Sequence, residues 1–265
     1  MKKTLRIVLI LLFLAIFLFA GWKLLQIGSE YRQAEEEYQQ MEEFVVLPES
    51  VQGATLGNDD TESLSDGVGS NTYNTTDDIQ WPEVDFEALR KINPDVVGWI
   101  YVKGTKINYP IVQGKNNDQY LYRTVNGKRN SAGSIFLDAK AEPDFSDRNS
   151  PIYGHNMKNG SMFADVTDYK SQKFYDKHPV ALLLTPEGNF VVRLFSAYTT
   201  KDTGDAWDMT FSDEKFEKWL DKRIRSSYIE TPVVPGLDDR ILTLSTCTYE
   251  TDDARFVVHG VLEEE

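Results

Sequence analysis

The sequence predicts a mainly β protein. It should form a closed barrel of eight short strands with short peripheral helices, one longer helix before the strand ending in the only cysteine, and an N-terminal transmembrane helix. Three observations carry this reading. Short β-type runs recur from residue 97 to the C-terminus, separated by polar turns. Helical stretches between them are few and mostly short, which favours a small closed barrel over a parallel α/β sheet. The first 80 residues have a different texture altogether: apolar, then charged, then polar.

In order, the β-type runs are 97–102 and 106–112, flanking Gly104-Thr105 as a hairpin, then 134–137, 151–153, 180–185, 190–198, 240–246 and 255–262. Pro186-Glu187-Gly188-Asn189 marks a turn. Ahead of the strands, Asp85 should cap a short helix that stops before Pro94. Helices are also expected over 162–169 and 172–177. The longer one, Ser212–Ser226, has Ser212 as cap and Phe216, Trp219, Leu220 and Ile224 on one face.

The N-terminus is basic at Lys2, Lys3 and Arg6, and Ile7 to Trp22 is almost unbroken Ile, Leu, Phe and Ala. With Leu24 and Leu25 this approaches the roughly 20 residues that cross a bilayer. A cleaved signal peptide is the competing reading. Cleavage after Ala20 or Gly21 would place Leu18 or Phe19 where a small residue is needed, so an uncleaved anchor is expected. The basic side is then cytoplasmic and the body extracellular. The divisions are a cytoplasmic end at 1–6, a transmembrane anchor at 7–25, a juxtamembrane stalk helix at 26–47 and a flexible linker at 48–80. A folded domain follows at 81–265. The linker is rich in Gly, Ser, Asn, Asp and Thr. Asn74-Thr75-Thr76 within it matches a glycosylation sequon, a pattern too common to carry weight.

The net charge of −14 argues against a nucleic-acid partner, since phosphates would be repelled. One cysteine, Cys247, closes the apolar run from Ile241. Outside a membrane a disulfide would be permitted, so a solitary thiol is either an inert buried residue or a nucleophile. Nucleophilic catalysis also needs a proton carrier and positive charge where an oxyanion develops.

Three histidines are available. His259 lies four residues after Arg255, roughly 13 Å along an extended strand, too far to serve if Arg255 is near the thiol. His178 sits in a connector before Pro179. His155 follows the strand Pro151–Tyr153 and Gly154, at the mouth of a loop, where an imidazole can move protons. The segment 248–254 should join two paired neighbours, bringing Arg255 beside Cys247. Ser245 and Cys247 would share one face, with Leu242 and Leu244 facing the core. Arg255 either aims at the thiol or is an edge arginine paired with Asp252 or Asp253. No close His/Cys ligand pair suggests a metal, and no cofactor is expected.

Thr243-Leu244-Ser245-Thr246-Cys247 followed by Arg255, with Tyr153-Gly154-His155 upstream, resembles the sortases, membrane-anchored cysteine transpeptidases of Gram-positive bacteria. The likeness runs from about 84 to 262. Asn108–Gly114, Gly133–Asp138, Phe195–Tyr198 and the long helix before the Cys strand are similar to class B members in particular. The resemblance implies an eight-stranded sortase barrel and a two-step acyl transfer. Cys247 attacks a Thr carbonyl in a C-terminal sorting motif of a secreted protein, and a peptidoglycan precursor amine resolves the acyl-enzyme. His155 moves the protons and Arg255 holds the substrate backbone and oxyanion. It further implies Asn117, Leu121, Thr200, Ser245 and Thr246 as substrate-groove residues. A pilus-polymerising sortase usually has an Asp-Pro-aromatic lid, and 48–82 has no Asp-Pro. A hydrolytic cysteine peptidase and, from another class, a non-catalytic membrane-tethered binding domain are the alternatives.

Overall fold

The computed structural model describes residues 2–48, 79–248 and 253–265. Most of the expected linker with its sequon, and Glu250 and Asp252 after the cysteine, lie outside the described residues.

Helix α1 runs unbroken from Lys2 to Glu42. Its apolar N-terminal part is exposed and is long and apolar enough to cross a membrane. The stretch expected as a stalk has few apolar residues, but Tyr31, Ala34, Tyr38 and Met41 recur at helical spacing and fall on one face. That face packs into the main core of the barrel. A short ladder of β1 (Val45–Val46) with β2 (Glu83–Val84) closes this corner. Helix α2 (Phe86–Ile92) follows, with the Asp85 carboxylate accepting from the Ala88 N–H at 2.9 Å.

Eight strands then build a closed barrel: β3 (Val96–Tyr101), β4 (Asn108–Gln113), β5 (Ile135–Leu137), β6 (Asn149–Tyr153), β7 (Val180–Leu184), β8 (Asn189–Lys201), β9 (Arg240–Cys247) and β10 (Ala254–Glu264). Around the barrel their order is β10-β8-β7-β3-β4-β5-β6-β9. Every expected strand is present, and closure leaves no open edge. The expected helix over 162–169 is instead a 3-10 turn at Asp165–Lys170. Met162 has φ of +58°, in the left-handed region, so no helix can start there. Helix α3 (Gln172–Lys177) and helix α4 (Asp213–Ser226) occupy their expected places, with the Ser212 hydroxyl capping α4.

Strands β8, β9 and β10 are buried on both faces. Leu242, Leu244, Phe256 and Val258 enter the barrel core. On the opposite face Phe195, Ile241 and Val261 pack under Phe216, Trp219 and Leu220 of α4. Two-sided burial explains why these strands read as near-continuous apolar runs rather than clean alternation.

Candidate active site

Cys247 ends β9, the middle strand of three. On one side β10 runs antiparallel and pairs Arg255 directly with Cys247. On the other β6 runs parallel, pairing Tyr153 with Ser245. Continuing that register by two residues sets His155 level with Cys247. Strand spacing of about 4.8 Å therefore sets His155 and Arg255 on either side of Cys247, and all three line one cleft. Three bonds hold the β6 end against β9. Gly154 N–H donates to the Ser245 carbonyl at 3.1 Å, the Thr246 hydroxyl donates to the Gly154 carbonyl at 2.8 Å, and the Asn156 amide donates to the Cys247 carbonyl at 3.2 Å.

Gly154 has to be glycine. A Cβ there would stand 2.4 Å from Ile135 Cδ1 and 2.8 Å from the Phe163 ring. A larger residue would have to displace the buried Phe163, whose N–H donates to the His155 carbonyl at 2.9 Å.

Cys247 is exposed, while Ser245 and Thr246 before it are buried. The thiol opens into a cleft of about 340 Å³ lined by Asn117, Leu121, Tyr153, His155, Trp207, Ser245, Thr246 and Arg255, among others. That volume suits a short extended peptide segment. His155 Nε2 lies 2.7 Å from the Leu121 carbonyl. A carbonyl can only accept, so Nε2 carries the proton and Nδ1 is the nitrogen left to exchange one. Burial holds the imidazole below its usual pKa, with the Leu121 bond opposing in part. The ring is therefore largely neutral at pH 7 and ready to accept a proton.

Arg255 approaches Asp202, Nη2 to Oδ2 at 3.6 Å, and donates to the Ala254 carbonyl at 3.0 Å. Of the acidic partners considered from sequence, Asp253 lies 3.9 Å from Lys201, and Asp252 is outside the described residues. Asp202 had no signal in the sequence. It reaches the cleft because β8 extends to Lys201, three residues beyond the expected Tyr198, and delivers the next residue beside β10.

The other groove residues are placed as follows. Asn117 lines the cleft, but its amide donates to Asp138 at 2.8 Å and its carbonyl accepts from Ala139 N–H at 2.8 Å. Leu121 lines it and supplies the carbonyl that holds His155. Ser245 and Thr246 form part of its floor. Thr200 is the register partner of Arg255, yet it lines a neighbouring polar cleft with Thr203, Gly204, Asp205, Lys222 and Arg223. Trp207, which sequence reasoning missed, stands in the loop between β8 and α4 and forms one wall.

The other two histidines are engaged elsewhere. His178 Nδ1 donates to the Lys103 carbonyl at 2.8 Å. His259 is fully buried between Thr243 and Tyr198, with Nδ1 2.8 Å from the Thr243 hydroxyl and Nε2 3.1 Å from the Tyr198 hydroxyl. Burial, with the nearby Arg223 charge, pushes its pKa well below the usual value.

The sequence and the fold resemble those of known proteins. A family model described as a sortase domain matches residues 100–263. Sortase B of Staphylococcus aureus (strain NCTC 8325 / PS 47) is 34% identical over 263 residues, covering 97% of this chain and 96% of that protein. The S. aureus sortase B–substrate complex superposes with a TM-score of 0.65 at 37% identity, covering 68% of this chain and 84% of the other. A crystal structure of sortase B complexed with triglycine gives 0.64 at 37% identity, over 68% of this chain and 85% of that one.

Proposed function

Since the chain belongs to the sortase family, as a class B cysteine transpeptidase, we propose that it joins secreted proteins to the cell wall through a Cys247 thioester. The observation that carries this reading is the row His155–Cys247–Arg255, with Cys247 on β9, Arg255 on β10 and His155 two residues beyond the end of β6, all lining one peptide-sized cleft.

The arrangement supports the following chemistry. A Thr carbonyl of a C-terminal sorting motif enters the cleft. The Cys247 proton passes to His155 Nδ1, and sulfur attacks the carbonyl carbon. Arg255 stabilises the negative oxygen of the tetrahedral species. As that species collapses, the bond to the leaving amine breaks and the amine takes the proton from Nδ1. An incoming amine from a peptidoglycan precursor then gives a proton to Nδ1 and attacks the thioester. The new amide forms, and sulfur recovers its proton. The related sortase B structures support both halves, one holding a substrate and one triglycine.

In this reading residues 7–25 of α1 cross the membrane, residues 1–6 are cytoplasmic and the barrel of 81–265 is extracellular, with 26–47 as stalk and 48–80 as linker. Asn117, Leu121, Ser245 and Thr246 line the bound motif. Thr200 would act from the neighbouring cleft.

The test is mass spectrometry of the full chain in detergent with a panel of Pro-containing peptides, including Asn-Pro types with Thr at the cleaved position. Each is run with and without triglycine or a diaminopimelate-containing amine. A thioester on Cys247 that is lost in His155→Ala and Arg255→Ala, with product rising on amine addition, supports the reading. Loss of about 100-fold or more in rate is expected for each variant. Release by water alone would favour a hydrolytic peptidase, and the lack of any adduct across the panel would favour a binding domain.

A further inference from the structure

The stalk half of α1 does more than connect the membrane to the barrel. Around Tyr38 it touches both structures that hold His155. The Tyr38 hydroxyl donates to the Gly133 carbonyl at 2.5 Å, and the Ser134 hydroxyl lies 3.3 Å away. Gly133 has φ of +60°, a left-handed conformation suited to glycine, and it packs directly on the preceding loop. A Cβ at Gly133 would fall 2.5 Å from the Leu121 carbonyl oxygen and 2.9 Å from that of Tyr120. This Leu121 oxygen is the one that accepts from His155 Nε2 at 2.7 Å. The path from helix to imidazole is therefore two hydrogen bonds with one close backbone contact between them.

A second path reaches the backbone of His155. The Tyr38 ring meets the Tyr109 ring edge-on, with centroids 5.4 Å apart. The Tyr109 hydroxyl accepts from Met162 N–H at 3.0 Å, and the next residue, Phe163, donates its N–H to the His155 carbonyl at 2.9 Å. Tyr38 is buried, and neighbouring helix positions fix the same loop. Glu37 accepts from Asn126 N–H at 3.0 Å, and the Glu30 carbonyl accepts from the Asn130 side chain at 2.9 Å.

We propose that Tyr38 is a positioning residue for His155, so that the helix leaving the membrane forms part of the support of the active site. The inference rests on His155 as the proton carrier in the reading above. Its consequence is that a barrel cut at residue 81 lacks this support, and its turnover understates that of the full chain. The mechanism is geometric. If Gly133 moves, the Leu121 carbonyl turns, Nε2 loses its acceptor, and the imidazole is no longer held in one fixed orientation in the cleft. Besides Cys247, the charged or titratable side chains lining the cleft with His155 are Asp118, Tyr153, Asp202 and Arg255. The exposed Tyr122 ring also lies against it, 5.5 Å between centroids.

The experiment uses the full chain in detergent, comparing wild type, Tyr38→Phe, Tyr38→Ala and His155→Ala. Turnover of an Asn-Pro-type peptide and alkylation of Cys247 by iodoacetamide are each followed from pH 5 to 9. Tyr38→Phe keeps the ring on Tyr109 and removes only the hydroxyl, with its bond to Gly133 and its longer one to Ser134. It should lower kcat about 2- to 10-fold, the range for one lost hydrogen bond, with KM within about twofold. The limb of the pH profile governed by His155 should move downward, since the Leu121 bond that raises the ring's pKa is weakened. Tyr38→Ala should do more on both counts. A wild-type kcat and pH profile in Tyr38→Phe, even with a lower melting temperature, overturns the positioning role. Undiminished turnover in His155→Ala would instead remove the proton-carrier reading on which it rests.

Discussion

Strands β9 and β10 pair an exposed cysteine with an arginine at one level and, four residues deeper, a threonine with a histidine. The two levels behave in opposite ways. At the mouth, Cys247 faces solvent and its neighbours arrive from three strands, with Asp202 reaching Arg255 from the end of β8. At the deeper level, Thr243 and His259 are wholly enclosed. His259 meets Tyr198, Tyr198 accepts from Arg223 at 2.7 Å, Arg223 pairs with Asp205 at 2.7 Å, and Thr243 donates to Asn149 at 2.6 Å. Similar residue types thus serve two ends. Where water and peptide can enter, an imidazole is left with one nitrogen uncommitted. Where they cannot, both nitrogens are bonded and the group fixes α4 and the 202–211 loop on the barrel.

The comparison is broken most severely at the mouth. Cys247→Ala should abolish the thioester and all turnover. Because the side chain is exposed, unfolding stability should stay within about 0.5 kcal/mol of wild type, as seen by chemical denaturation. A large loss of stability would mean that the cysteine also holds the fold.

The deeper level should respond the other way, in stability first. Asp205→Ala leaves Arg223 with its charge buried and its main partner gone. The expected cost is about 2–3 kcal/mol, below the roughly 3–5 of a fully buried pair because Asp205 is partly exposed. Lys222→Ala removes the exposed partner of the same carboxylate and should cost under about 1 kcal/mol. Denaturant midpoints of the two variants give the contrast, and equal losses would show that the buried arginine is not the costly element.

These two levels were not equally legible from sequence. The strand runs, the caps at Asp85 and Ser212, and the pairing that sets Arg255 against Cys247 were all readable, because each depends on local pattern or on two strands joined by one short loop. His155 could be singled out by its place after a buried strand, but its alignment with Cys247 comes from a parallel pairing across 92 positions of chain, which no local signal encodes. Distance along β10 correctly separated His259 from the thiol. Its buried network was invisible, since Tyr198, Arg223, Asp205 and Asn149 meet only after barrel closure. The stalk face was hidden for a simpler reason. Tyr31, Ala34, Tyr38 and Met41 are few among many charges, and only their shared phase marks them as a packing surface.

A pH titration sharpens the contrast at smaller scale. In the fold the pKa of His259 lies well below its ordinary value of about 6.5, so the unfolded chain binds a proton that the folded one refuses. Stability should therefore decline as pH falls below about 6.5, by up to roughly 1.4 kcal/mol per pH unit for this one proton. His155 is also held low and adds in the same direction. His259→Gln should flatten the slope between pH 7 and 5, measured by melting temperature across that range. Burial raises the Asp205 carboxyl, but hydrogen bonds from Lys222 and Arg223 outweigh it and hold the group below its usual range. Its contribution is lost lower down, as pH falls below about 4. An unchanged slope in His259→Gln would place the acid sensitivity elsewhere.

The smallest effect is expected back at the mouth, at the carboxylate beside Arg255. At 3.6 Å, with both side chains partly exposed, the Asp202–Arg255 pair is a weak one. Arg255 also donates to the Ala254 carbonyl, which Asp202→Asn leaves intact. The variant should lower kcat/KM only about two- to threefold, since an exposed pair contributes under about 1 kcal/mol, and the difference should shrink as salt is raised. Measured beside Arg255→Ala, this separates two roles for the arginine. A small, salt-sensitive loss means that the strand pairing with Cys247 aims the guanidinium and Asp202 only trims it. A loss approaching that of Arg255→Ala would mean that the guanidinium is aimed by the carboxylate, and that the end of β8 belongs to the reactive level as fully as β6 and β10 do.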